Sequence, residues 1–390
     1  VVSGNVRRSA ALAMGRYQDK EYLQMKNDQE KLYHHRWGSN NSFNAEVGMD
    51  YTWHANQTQK NGEPGYIWLD NARTHGRFAD GLKYDDVNVA GFNPCVEQQL
   101  EDAELCCLVE TFPAKHDDYE DYLKTLKIAY LYGKTITLSN THWPETNAKM
   151  LKNRRIGLSQ SGVVQAFNKF GRREMLNWCD NAYSHVKELD EEYSNWLCIP
   201  KSVRMTSIKP SGTVSLLNGS TPGIHFPESE YYIRRIRFSK DNELVTPLKE
   251  AGYKIEEDAY SPNTYCIEFP VHEPHFSQSK KTVSMWEQLE MAAQYQHYWA
   301  DNSVSITVTF KDEEADQLKS ALEMYETRLK AVSFLRYKDT GYKQAPYESI
   351  TKETYKKLIK NITPIQRANI QEGGAGTKFC DGETCEIQFD

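Results

Sequence analysis

Asn93-Pro94-Cys95-Val96-Glu97 sets an amide, a thiol and a carboxylate within five residues. Pro94 biases Asn93 toward extended backbone. In an extended piece residues 93, 95 and 97 share one face, because strand side chains alternate with period two. That reading aims three polar groups at one point. The plainer reading is a turn followed by a buried Cys and a surface Glu, since cysteine is often a small core residue.

The flanking sequence sets the fold class. Tyr119, Tyr122, Leu123, Leu126, Ala129 and Tyr130 recur at helical spacing. Asp117 and Asp118 suit the start of that helix and Gly133 its end. Met285, Leu289, Ala292, Ala293 and His297 predict a second helix, and residues 313–329 a third. Strands are expected at 202–208, 231–238, 264–269 and 303–310. In the last, Val304, Ile306, Val308 and Phe310 alternate with Ser305, Thr307 and Thr309. Strands interleaved with helices predict an α/β layout. Residues 36–92, rich in Asn, Gly, Asp and His, read as loops and short elements.

The chain has 390 residues, 39% hydrophobic and 26% charged, enough for a large core. Its 24 Tyr and 8 Trp argue against wide disorder. No apolar run reaches the roughly 18 residues of a membrane span. The start, Val1-Val2-Ser3-Gly4, has no initiator Met and no signal-peptide pattern, so a cytoplasmic chain cut in mid-domain is expected. The net charge of −7 argues against a nucleic-acid polymer as partner. A mononucleotide stays open, because a few N–H groups can hold a phosphate. Eight cysteines without a CxxC pair make structural zinc a poor expectation.

Three further stretches could carry chemistry. Lys209-Pro210-Ser211-Gly212-Thr213-Val214-Ser215 follows a predicted strand and precedes Leu216-Leu217. A strand, a small-residue turn and a helix start would present free N–H groups to an anion, or would simply be a capped helix. Gly373-Gly374-Ala375-Gly376 tethers a tail holding Cys380 and Cys385. Two thiols on a glycine tether could exchange disulfides elsewhere, or lie idle in a frayed terminus. His225, in Thr221-Pro222-Gly223-Ile224-His225, reads more readily as structural than as a ligand.

Taken together, these motifs resemble the class II ribonucleotide reductases, particularly the monomeric ribonucleoside-triphosphate type, in order and spacing along almost the whole chain. The resemblance implies the second half of a ten-stranded α/β barrel over residues 1–365, with a central finger loop, and a flexible redox tail at 366–390. It implies that Cys95 carries the thiyl radical, that Glu97 handles the ribose 3′-hydroxyl proton and that Asn93 orients the sugar. Cys106, eleven residues after Cys95, matches one reducing cysteine, although Cys107 stands where the family has Asn. The partner of Cys106 is expected upstream. Pro210, Ser211, Gly212, Thr213, Val214 and Ser215 match the substrate-phosphate loop. Asn5, Arg7, Arg8 and Ser9 lie in the counterpart of the specificity loop, and Cys380 and Cys385 match the re-reducing tail pair.

Adenosylcobalamin is the implied cofactor and thioredoxin the external reductant. A deoxynucleotide effector is expected to bind upstream, in an amino-terminal half without which this chain should be inactive. Competing readings are a class I large subunit, which needs a radical-generating partner, a non-catalytic nucleotide-binding fragment, and a redox sensor using Cys380 and Cys385 alone. The class I tyrosine relay has no counterpart, since Tyr231-Tyr232 is misplaced and no Tyr follows Tyr355. No terminal glycyl-radical segment is found either.

Overall fold

Short parallel strands frame the part of the chain that carries Cys95. The structure, a computed structural model, describes residues 42–259, 261–337 and 343–365. The described residues form two compact units, one of 42–226 and 282–337, the other of 227–281 and 343–365. The sequence reading marked a boundary at 365 and none at 226 or 281.

The first unit begins with β1 (Ser42–Asn44), α1 (Thr52–Asn61), β2 (Gly65–Ile67), β3 (Gly91–Phe92), β4 (Gln99–Leu100) and β5 (Leu108–Thr111). Helix α2 (Tyr119–Ile136), β6 (Gly157–Gln160), α3 (Val163–Phe170) and α4 (Arg172–Leu197) follow. The second unit then contributes β7 (Tyr231–Ser239), β8 (Lys254–Glu257) and β9 (Thr264–His272). The first resumes with α5 (Met285–Tyr298), β10 (Thr307–Phe310), α6 (Leu318–Tyr325) and β11 (Ala331–Arg336). The second closes with β12 (Tyr347–Ser349) and α7 (Lys352–Ile359).

In the first unit β5 pairs with β6 and β10 with β11, both in parallel. Strand β11 pairs antiparallel with β2, and β2 pairs parallel with β1. Parallel bridges Leu158 to Thr206 and Ile208 to Val304 join the two sets. The result is a mixed α/β arrangement running β5, β6, 205–208, 303–310, β11, β2, β1.

Helices cover these strands. Tyr122, Leu126 and Tyr130 of α2 and Met175, Val186 and Tyr193 of α4 have no exposed surface and share one core with β6. A buried Lys134–Asp190 pair, 2.6 Å, ties the two helices, and Tyr130 also donates to Asp190. Asp118 caps α2 through the Asp121 N–H, as its position predicts. No helix among the described residues is long and apolar enough to cross a membrane.

The second unit is an antiparallel sheet ordered β12, β7, β9, β8. Arg235 lies inside it, donating to Glu268 at 2.8 and 3.0 Å.

The predicted helices at 119 and 285 and strands at 231 and 264 are present. Residues 202–208 make only single-residue bridges, and β10 covers the second half of 303–310. Residues 313–329 fall into a 3₁₀ segment, Asp312–Gln317, followed by α6. The stretch 42–92 holds more than loops. Its largest fully buried side chains are aromatic, Tyr51, Tyr66 and Trp68.

Candidate active site

The decisive pentapeptide is not extended. It forms the tip of the β3–β4 hairpin, where Gly91 faces Leu100 and Phe92 faces Gln99. The chain turns at Pro94 and Cys95, closed by a Val96 N–H to Asn93 carbonyl bond of 2.9 Å. Val96 then takes φ 65°, a left-handed conformation that a β-branched residue rarely adopts. Such a residue costs about 1–3 kcal/mol and persists only where its surroundings hold it. The expected alternation of 93, 95 and 97 onto one face is therefore overturned. Cys95 is exposed, while Asn93 and Glu97 turn inward.

The surroundings explain the strain. Ser305 Oγ donates to the Cys95 carbonyl at 2.5 Å, and the Ser303 N–H to the Glu97 carbonyl at 3.1 Å. Asn93 Oδ1 accepts from the Gln98 N–H at 3.0 Å, so this amide oxygen is spent on the hairpin. Behind the tip, Gln99 donates to Asp86 and to the Ala72 carbonyl. Asp86 is gripped by two Arg155 nitrogens, each at 2.8 Å, and Arg155 also donates to Glu104. Lys330 is fully buried between Gln99 and the Asp301 carbonyl, and burial drives its pKa well below the usual lysine value.

Glu97 differs from its neighbours. It has no exposed surface, and neither carboxylate oxygen has a hydrogen-bond partner. The Lys209 ammonium lies 3.5 Å from Oε1. Burial alone would lower the Lys209 pKa, but Glu97, Cys95 and Cys106 together hold it above the usual value. Lys209 is thus the common neighbour of two thiols and one carboxylate. Sequence reasoning had placed it in an anion loop, and nothing in its local pattern signals this second position.

Cys106 is open to solvent, whereas Cys107 is buried with its Sγ donating to the Gly133 carbonyl at 3.6 Å. Protein packed around the Cys106 sulfur raises its pKa, Glu97 adds to that, and Lys209 opposes it. Burial pushes Cys107 up to about 11. Both thiols therefore hold their protons at neutral pH, and only Cys106 bears on Glu97 and Lys209.

Residues 209–215 lie alongside. The expected helix start is a five-residue 3₁₀ segment, Val214–Asn218, too short for a helix-terminus anion site. The Ser215 and Leu216 N–H groups are already bonded to the Ser211 and Thr213 carbonyls. What the segment offers instead is hydroxyl groups. Ser215 and, further on, Ser220 and Thr221 have buried oxygens without a partner. His225 is structural, with Nδ1 3.1 Å from the Pro222 carbonyl and Nε2 accepting from the Thr307 N–H.

A cleft of about 200 Å³ opens at Cys95, with Val96, Pro210, Ile306 and Val332 on its walls. Asn5, Arg7, Arg8, Ser9, Cys380 and Cys385 lie outside the described residues. Among those described, no group of three His, Cys, Asp or Glu could hold a metal ion.

No family model matches the chain. A Dictyostelium discoideum protein, described as a probable adenosylcobalamin-dependent ribonucleoside-triphosphate reductase, is 48% identical over all of this chain and 53% of its own length. The Euglena gracilis adenosylcobalamin-dependent ribonucleoside-triphosphate reductase is 44% identical over 98% of this chain and 54% of its own. A crystal structure of a B12-dependent, class II ribonucleotide reductase superposes with TM-score 0.80 at 37% identity, covering 89% of this chain and 53% of that one. The alpha subunit of the Actinobacillus ureae class Id reductase, at 17% identity and TM-score 0.53, shares the fold. Over its whole length the chain is similar to adenosylcobalamin-dependent, class II ribonucleotide reductases. It spans about half the length of the curated relatives it matches.

Proposed function

We propose that the chain supplies the radical and reducing half of a ribonucleoside-triphosphate reductase, working with the remaining portion that its relatives carry. The observation behind this is Glu97, a fully buried carboxylate whose oxygens accept no hydrogen bond and whose charge meets only the Lys209 ammonium at 3.5 Å, set beside an exposed thiol on a strained turn. Leaving a charged group buried without hydrogen bonds costs several kcal/mol, so a fold retains one where a ligand completes it.

The Cys95 surroundings fit adenosylcobalamin. The sulfur is exposed on a cleft of mixed polar and apolar lining that a flat macrocycle could close, and a closed cleft protects a radical from water. When bound, the cofactor supplies the radical that the Cys95 thiol receives. The remaining work falls to the chain itself. The Cys95 thiyl takes the ribose 3′ hydrogen, and Glu97 accepts the 3′-hydroxyl proton. Cys106 gives the proton with which the 2′-hydroxyl leaves as water. Cys106 and its upstream partner then supply two electrons and close to a disulfide, the partner's hydrogen going to C2′; Glu97 returns its proton to the 3′-oxygen, and Cys95 returns the hydrogen to C3′. Cys380 and Cys385 reduce that disulfide by exchange and are themselves reduced by thioredoxin. Asn93 orients the sugar through its amide nitrogen, and residues 210–215 hold the phosphates. Asn5, Arg7, Arg8 and Ser9 carry effector information to the base, the deoxynucleotide effector binding in the remaining portion.

In architecture, we read the strands as part of the family's barrel and the β3–β4 hairpin as its finger loop. The decisive experiment adds adenosylcobalamin, dithiothreitol and the remaining portion to this chain, with Cys95→Ala as control. Cobalamin-dependent deoxynucleotide formation that vanishes in the variant is expected. Absence of turnover from a folded, associated pair would overturn the proposal.

A further inference from the structure

Glu110, on β5, is a carboxyl group that the reaction above leaves idle. Its Oε2 accepts from Ser211 Oγ at 2.5 Å, and its Oε1 from Ser161 and Ser159 Oγ at 2.7 and 3.1 Å. The same serines hold backbone: Ser159 Oγ accepts the Lys209 N–H, and Ser161 Oγ the Gly223 N–H. One carboxyl group thus ties both ends of the 209–223 segment to the end of β6. Ser211 is itself held left-handed at φ 49°. The hydroxyls of Ser215, Ser220 and Thr221, at most 2% exposed, await an acceptor on the same segment.

The groups facing Glu110 are Lys209 from the loop, Tyr122 from α2 and uncharged hydroxyls from β6 and beyond. Burial raises its pKa to about 7, against the pull of the three serines and Lys209.

We propose that Glu110 is a positioning residue of the phosphate loop, and that an anionic phosphate group settling on residues 209–223 drives a proton from solvent onto its carboxyl group. The inference rests on the reading of that segment as the phosphate site. Two anions side by side in a partly enclosed site cannot both keep full charge, so the weaker acid neutralises. Protonation also loosens the claim of Glu110 on the Ser211 hydroxyl, which can then turn to the phosphate. By linkage, anion affinity falls as pH rises past the free-state pKa.

Inorganic sulfate is the probe, because it does not titrate near neutrality. Calorimetry of the full chain in buffers of different ionisation enthalpy reads affinity and proton uptake together. Sulfate should bind about tenfold more weakly at pH 8 than at pH 6, the limit for one group titrating near 7. Uptake of part of a proton should accompany binding at pH 7. Glu110→Gln should abolish both the pH dependence and the uptake. Ser211→Ala removes a bond to the ionised carboxyl and should move the pH midpoint upward, an independent check if the first variant folds poorly. Equal pH dependence in native and Glu110→Gln protein, or an unmoved midpoint in Ser211→Ala, overturns the role of Glu110 and leaves the phosphate loop standing. The loop itself is tested with Gly212→Asp, whose added side chain meets open space. That variant should lose sulfate. Retained binding there, or none in the native chain, overturns both readings.

Discussion

Glu97 and Glu104 lie seven residues apart, and neither has any exposed surface. Glu104 accepts from Arg155 at 3.0 Å, Asn153 at 3.1 Å and the Glu101 N–H at 2.7 Å. Glu97 accepts from nothing. The first belongs to a closed network behind the hairpin, the second to its tip. A buried carboxylate with both oxygens engaged holds structure, and one left open is held by structure. Burial alone would not separate them.

The contrast is testable. The largest effect should come from Glu97→Gln, with a loss of about 10²–10⁴-fold in kcat, the usual worth of a general base. Its unfolding free energy should change by less than about 1 kcal/mol. The substitution removes a charge held only by the Lys209 ammonium at 3.5 Å, and Lys209 is exposed enough for water to solvate it. A large loss of stability in urea would place Glu97 with Glu104 and break the distinction.

Arg155→Met should do the reverse. It strands Glu104 as a buried charge and leaves Asp86 only the more distant Arg204 at 3.6 Å, a change that typically costs about 3–5 kcal/mol. Denaturation midpoints measure it, and an unchanged midpoint would show that the network is dispensable.

A smaller effect concerns acid. Burial works upward on Asp86, but Arg155 and Arg204 hold its pKa below the ordinary carboxylate value. Its contribution to stability is complete above that ordinary value and is lost as pH falls through the depressed one. Glu110 has the opposite sign. With its folded pKa raised to about 7, stability should decline as pH rises from the ordinary carboxylate range toward 7. Glu110→Gln should remove that neutral-side decline and leave the acid side intact.

The smallest expected change is Ser305→Ala, which deletes one hydrogen bond to the Cys95 carbonyl. About 1 kcal/mol of stability should go. Alkylation of Cys95 should quicken as the tip loosens, and Ser305→Thr should restore the native rate. Unchanged alkylation in Ser305→Ala would mean that the Val96 turn holds itself.

The sequence alone determined the α/β class, the helices beginning near 119 and 285, and the order of motifs by which Cys95, Glu97 and Cys106 were singled out. Those features are local, set by side-chain period, capping residues and spacing within one stretch. The long helix α4 was legible by the same logic, since Met175, Trp178, Ala182, Val186, Leu189 and Tyr193 recur on one face, but it was not read. The tertiary structure decided the rest. Lys209 meets Glu97 across 112 positions, and Ser305 meets Cys95 across 210. It also turned the pentapeptide from an extended face into a hairpin tip, and made the expected helix start a 3₁₀ turn. Local propensity weighs only neighbours in the chain, whereas these outcomes depend on hydrogen bonds and charges brought from distant segments.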